Sequence, residues 1–128
     1  MTDLYRDIII DHYRNPRNFG SLSKPDRVYE QVNVLCGDKI HIEIALLGGK
    51  KDPVIDNIRF TGEGCAISMA TASMLTERLK GKPLSYLQRM GKDAIVRLIN
   101  VELTPTRLKC ALLPLEVIRK AVNNSYGR

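Results

Sequence analysis

A chain of 128 residues has room for one domain with one core, and 44% hydrophobic with 27% charged residues excludes a disordered chain. The net charge of +6 is scattered, its tightest groupings being Lys50-Lys51 and Arg107 with Lys109, and two Phe with no Trp give poor support to a base-stacking nucleic-acid platform. No apolar run approaches the roughly 20 residues that cross a bilayer.

The opening Met1-Thr2-Asp3-Leu4-Tyr5-Arg6-Asp7 is mixed in charge and lacks the layout of a signal peptide, so the chain is expected in the cytoplasm. Thr2 or Asp3 can cap a first helix in which Leu4, Ile8 and His12 recur at helical spacing. Asn15-Pro16 ends it, because the residue before a proline disfavours the α region. After a polar loop, Val28, Val32 and Val34 suggest a first strand, although Glu30 interrupts its apolar face. Ile40, Ile42, Ile44 and Leu46 alternate with Lys39, His41, Glu43 and Ala45, which is the clearest strand signal in the chain. The turn from Gly48 to Pro53 leads to a third strand from Val54 to Phe60, and the short connections favour an antiparallel meander.

From Cys65 onward the pattern is helical. Ala66 to Lys80 reads as one helix stopped by Gly81 and Pro83, and Leu84 to Met90 and Asp93 to Ile99 read as two short ones. After the Thr104-Pro105-Thr106 turn, Leu108, Leu112, Leu115, Ile118 and Val122 form the apolar stripe of a last helix. Pro114 marks either its first turn or a kink. The expected fold is α+β, a single domain over residues 1–128 with a three-stranded antiparallel sheet packed against several helices.

The chain has three cysteines, Cys36, Cys65 and Cys110. An odd number in a reducing compartment reads as ligands or nucleophiles rather than a disulfide framework. Cys36 lies in Leu35-Cys36-Gly37-Asp38 between two strands, and the glycine lets the backbone bend so that Cys36 and Asp38 could face one ion. Cys65 follows Thr61-Gly62-Glu63-Gly64 and opens a helix, where N–H groups and the helix dipole favour negative charge. Cys110 follows Arg107-Leu108-Lys109 near the start of the last helix, with two cations as neighbours. Thiolates and a carboxylate suit Zn²⁺, and thiolates hold iron–sulfur clusters. The spacing alone matches no local zinc knuckle, and a free cysteine is often a small buried hydrophobe.

Other candidates carry less. His41 is expected to be solvated or hydrogen-bonded, and His12 to pack on its helix. Met69, Met74 and Met90 read as core. Ser68, Thr71 and Ser73 have no base partner that would make a hydrolase triad.

Four ordered motifs carry a resemblance over nearly the whole length. They are Asp11-His12-Tyr13-Arg14-Asn15-Pro16-Arg17-Asn18-Phe19-Gly20; Cys36-Gly37-Asp38; Gly62-Glu63-Gly64-Cys65-Ala66-Ile67-Ser68, with Lys82 downstream; and Arg107-Leu108-Lys109-Cys110. The chain resembles the IscU/SufU/NifU N-terminal family of iron–sulfur cluster scaffolds, which implies an IscU/SufE-like fold. The resemblance implies that Cys36, Asp38, Cys65 and Cys110 bind iron, a [2Fe–2S] cluster or zinc, and that a cysteine desulfurase delivers persulfide sulfur to Cys110 or Cys36. It implies further that the cluster passes to apo iron–sulfur acceptor proteins. On physical grounds Asp38, a hard and weaker fourth ligand, is expected to leave the cluster labile enough to pass on. Such a chain acts as a scaffold or carrier more than as an enzyme.

Two branches of the family imply two roles. Lys109 stands where the Isc branch has histidine, as in SufU-type chains, yet the path from Cys65 to Cys110 lacks the SufU insertion. A scaffold is therefore the first expectation and a zinc-dependent SufU-type sulfurtransferase the second. A structural zinc protein binding nucleic acid is the alternative of another class. Leu103-Thr104-Pro105-Thr106-Arg107 replaces the Leu-Pro-Pro-Val-Lys of the Isc chaperone site, which puts an Hsp70 partner in doubt. Whether a homodimer shares one cluster is left open.

Overall fold

The computed structural model describes residues 3–34, 37–48 and 51–123. Helix α1 (Asp3–Arg14) precedes strands β1 (Arg27–Asn33), β2 (Asp38–Leu47) and β3 (Val54–Glu63). Helices α2 (Ala66–Leu79), α3 (Leu84–Gln88), α4 (Lys92–Ile99) and α5 (Pro105–Asn123) follow. The strands form an antiparallel sheet in the order β1-β2-β3, the expected meander. None of the helices among the described residues is long and apolar enough to cross a membrane.

The isoleucine alternation of β2 sets the sheet's inner face. Ile40, Ile42 and Ile44 are fully buried, and Ile42 and Ile44 stand opposite Phe60 and Ile58 of β3, also fully buried. A one-residue slip would turn that whole set to solvent, so burial of one face fixes the register. β3 runs three residues past the expected Phe60, to Glu63, because Lys39 pairs with Glu63 at the far end of the ladder.

β1 is a strand as expected, but its valines do not mark the core face. Tyr29 stands opposite Ile42 and packs on the core, while Val32 is 51% exposed. The reason is coverage by α5: Lys120 Nζ donates to Gln31 Oε1 at 2.9 Å and lies 5.9 Å from the centroid of the Tyr29 ring. An edge strand under a helix can bury a tyrosine and long polar side chains in place of aliphatics.

Helix α2 is the axis of the molecule. Ten of its residues are buried, on every side, and it packs against α1, α4, α5 and β3. A helix without a polar face has to be a central one. Its Ala, Ser and Thr residues let neighbours approach closely, and the hydroxyls are internally bonded, as with Thr71 Oγ1 to the Ile67 carbonyl at 2.7 Å. The helix stops at Gly81, whose φ of +87° favours glycine and whose N–H bonds to the Ile55 carbonyl.

Helix α5 begins at Pro105, so the expected Thr104-Pro105-Thr106 turn is already its first turn, where a missing N–H costs nothing. Pro114 is therefore internal. It has no N–H to donate to the carbonyl of Cys110, four residues earlier.

Candidate metal centre

Three elements bring their ends to one point. Gly37, at φ +73°, donates its N–H to the Asn33 carbonyl at 2.8 Å and turns the chain into β2, whose first residue is Asp38. The β2–β3 ladder then lays the end of β3 beside the start of β2, which puts Cys65 next to Asp38 although 27 residues separate them. Helix α5 brings Cys110 in from its second turn. One ligand atom each from Asp38, Cys65 and Cys110 lies within 4.8 Å of the others.

Asp38 is 1% exposed, and its place is set by α2. Cys65 is the N-cap of that helix, extended at φ −74° and ψ 168°, with no capping bond from its own side chain. The carboxylate takes the capping role instead: Asp38 Oδ1 accepts the Cys65 N–H at 3.0 Å, at the positive end of the helix. The Cys65 Sγ lies 3.7 Å from the other carboxylate oxygen and 3.8 Å from Ser68 Oγ. Ser68 is fully buried and also donates to the Cys65 carbonyl at 3.2 Å.

Gly64 makes this packing possible. A Cβ there would lie 2.6 Å from Ser68 Oγ and 2.7 Å from Asp38 Oδ1, inside van der Waals contact, so the carboxylate fits against the helix start only where the chain has no side chain. Ser68 and Gly64 are the site residues that the sequence reading missed. Their signal is positional: Gly64 directly precedes the cysteine, and Ser68 lies three residues after it, on the same side of the first helical turn.

The two thiols differ in access. Cys65 is half-buried and Cys110 is 1% exposed. Arg107 and Lys109 are exposed while Cys110 faces inward, so the expected cationic neighbours stand on the solvent side of α5. Cys36, the remaining expected ligand, lies outside the described residues.

Neither histidine joins the centre. His41 sits between Glu30 and Glu43 on the outer face of the sheet, at 3.2 and 2.9 Å, hydrogen-bonded as expected. His12 is buried, and its Nδ1 is 2.7 Å from Ser73 Oγ, which also accepts the Arg17 N–H at 2.8 Å. Burial holds its pKa below the usual value of 6.5. This pairing gives His12 and Ser73 a structural role that links α1 and its following loop to α2.

This α+β fold with a three-stranded sheet gathers two thiols and a carboxylate at the start of a buried helix, a donor set that could hold a metal ion. Comparison with known proteins agrees. The family model for the NifU-like N terminal domain matches residues 4–128. The chain is 36% identical to the zinc-dependent sulfurtransferase SufU of Bacillus subtilis, with 97% of this chain and 92% of the relative covered. It is 34% identical to an iron–sulfur cluster assembly scaffold protein IscU of Archaeoglobus fulgidus, with 98% and 78% covered. A crystal structure of a candidate SUF-system scaffold from Fervidobacterium islandicum AW-1 superposes with a TM-score of 0.73 at 26% identity, covering 91% of this chain and 95% of the other. The chain belongs to the NifU-like N-terminal family, which includes the IscU and SufU proteins. The SufU match runs over 141 aligned positions, more than this chain's own length, so that relative carries residues with no counterpart here.

Proposed function

We propose that this chain is an iron–sulfur cluster assembly scaffold. It takes persulfide sulfur from a cysteine desulfurase, holds iron or a [2Fe–2S] cluster as its cargo, and passes the cluster to apo-proteins. The observation that carries the reading is the convergence of Asp38, Cys65 and Cys110 within 4.8 Å. Cys36 is the fourth proposed ligand and completes a set of three thiolates and one carboxylate. Asp38, a hard donor among soft ones, is the ligand from which the cluster leaves.

Sulfur enters by thiol exchange. A thiolate of the chain attacks the outer sulfur of the desulfurase persulfide, a new S–S bond forms, and the old one breaks with the desulfurase thiolate as leaving group. Cys36 and Cys110 are the proposed acceptors. A 1% exposed Cys110 can serve only after the packing around it opens, so the acceptor role of Cys110 requires motion at the start of α5.

Zinc also fits the donor set. Asp38, Cys65 and Cys110, whose ligand atoms lie within 4.8 Å of one another, would hold it with Cys36 as the proposed fourth donor. Bound there, zinc would keep the thiols ionised and held together until sulfur arrives. The second reading, a zinc-dependent sulfurtransferase, is supported by the similarity to SufU and by Lys109 beside Cys110. The unmatched residues of that relative weigh toward the scaffold.

Anaerobic incubation with ferrous iron, cysteine and a desulfurase separates the two. A visible-absorbing [2Fe–2S] species that activates an apo-ferredoxin is the expected result. Retained zinc, no cluster and stimulated desulfurase turnover would instead establish sulfur transfer.

A further inference from the structure

Helix α2 ends in a second charged feature, on the order of 20 Å along its axis from Cys65 at 1.5 Å per residue. Arg78 in the last turn of α2, Arg89 at the C-cap of α3 and Arg97 in the last turn of α4 line one cavity of about 380 Å³. Tyr86, Met90 and Leu98 form its apolar wall, and no acidic residue lines it. Among the described residues none of the three arginines takes part in an ion pair. Among the described residues the Arg89 guanidinium makes one hydrogen bond, from Nε to the Ser85 carbonyl at 3.3 Å. An adjoining cavity of about 410 Å³ shares Arg78 and Leu98 and adds Lys80 and Lys82, with Glu77 its one carboxylate.

Three guanidinium groups from three helices line one cavity, and no ion pair among the described residues neutralises them. Each is exposed and keeps its planar fork for an external anion. We infer that this face docks an acidic segment of a partner protein, one in which carboxylates alternate with apolar side chains. The carboxylates pair with the arginine forks, the geometry at which arginine exceeds lysine, and the apolar side chains cover the half-buried Leu98 and Tyr86. A lone phosphate or a nucleic-acid backbone would leave that wall uncovered. Because the face is remote from Asp38, Cys65 and Cys110, a partner held there leaves the thiols open to a second protein. The inference does not depend on which metal the site holds.

The test uses the whole chain and a short fluorescein-labelled peptide alternating glutamate with leucine, followed by anisotropy at low and physiological salt. Saturable binding is expected, weakened about tenfold by Arg78→Glu with Arg97→Glu, and less by the same two positions changed to Gln. Arg6→Glu with Lys24→Glu, which changes the net charge equally elsewhere, is expected to have little effect. Equal loss in that control pair would overturn the proposal, since binding would then follow net charge alone. Displacement of the peptide by inorganic phosphate, or tighter binding of a short DNA duplex than of the peptide, would overturn the protein partner. Zinc content, read in parallel, is expected to be unchanged in every variant.

Discussion

Cys65 stands half-buried where β3 meets α2, with the Asp38 carboxylate on its N–H and a serine hydroxyl near its sulfur, whereas Cys110 is 1% exposed one turn inside α5. The first is placed by the sheet register, which burial of the isoleucine face fixes, and by the hydrogen-bonded start of a helix. The second is placed by packing of an apolar stripe. The two thiols therefore reach one point by independent routes. A change at the start of α2 should disturb the carboxylate and Cys65 together, and a change in α5 should disturb Cys110 alone.

The largest expected effect is on metal retention. Cys110→Ser, nearly the same size, should leave the fold intact by circular dichroism but lower zinc or cluster retention by roughly a hundredfold or more, because a hydroxyl is a poor substitute for a thiolate ligand. Retention equal to the parent chain would remove Cys110 from the ligand set. In the metal-free protein, iodoacetamide should label Cys65 at least about tenfold faster than Cys110, as access dictates. Peptide mass spectrometry reads that ratio, and equal rates would show that α5 opens freely. Asp38→Ala should make a reconstituted cluster slower to transfer to apo-ferredoxin and harder to remove with chelator. A parent-like transfer rate would contradict the role of the carboxylate as the labile ligand.

Gly64→Ala tests the carboxylate side of the comparison by sterics. The added methyl would have to push Asp38 or Ser68 away, which should cost roughly 1–3 kcal/mol in urea unfolding and weaken zinc binding, with Cys110 still protected from alkylation. A stable variant with full metal binding would mean that the carboxylate is not fixed by this contact.

How legible all this was in the sequence depended on the kind of signal. The isoleucine alternation of Ile40, Ile42 and Ile44 revealed β2 and its inner face, because a two-residue period has one reading. The valines of β1 misled, since Val28 and Val32 reported strand propensity and not which face α5 would cover. In the sequence Pro105 reads as a turn, because a proline that opens a helix and one that precedes it share the same local signal. The local settings of Cys36, Cys65 and Cys110 make them candidate ligands, and the order of the four motifs is what joins them with Asp38 in one site. The closeness of Asp38 to Cys65 comes from the pairing of Lys39 with Glu63, which no local spacing encodes. Ser68 and Gly64 matter only through contacts across that junction.

A region remote from both thiols offers a control. Ser73→Ala removes a hydroxyl that receives the Arg17 N–H and meets His12, which should cost about 1–2 kcal/mol of stability without changing metal binding. His12 also carries a pH effect of known sign. Its pKa in the folded chain lies below 6.5 because burial disfavours the charged ring, so between that lowered value and 6.5 the unfolded chain binds the extra proton. Its contribution is therefore intact above about pH 6.5 and declines as pH falls through the window, levelling off below the folded-state pKa. His12→Gln should flatten that part of the stability–pH curve, as urea titrations at a series of pH values would show.

The smallest effect is expected from Pro114→Ala, on the Cys110 side. Alanine restores an N–H that can bond to the Cys110 carbonyl and is favoured over proline in a helix interior by about 3 kcal/mol. Against this stands the loss of two buried ring methylenes, about 1.6 kcal/mol at about 0.8 kcal/mol each, with a cavity cost in addition. The cavity cost takes up part of the remaining difference, so the net gain is small and the informative readout is hydrogen exchange at residue 114. Protection of that new amide would show that α5 accepts the restored bond, and alkylation of Cys110 should then slow further relative to Cys65. An unprotected amide with unchanged Cys110 labelling would show that the missing bond is not what governs access to the buried thiol.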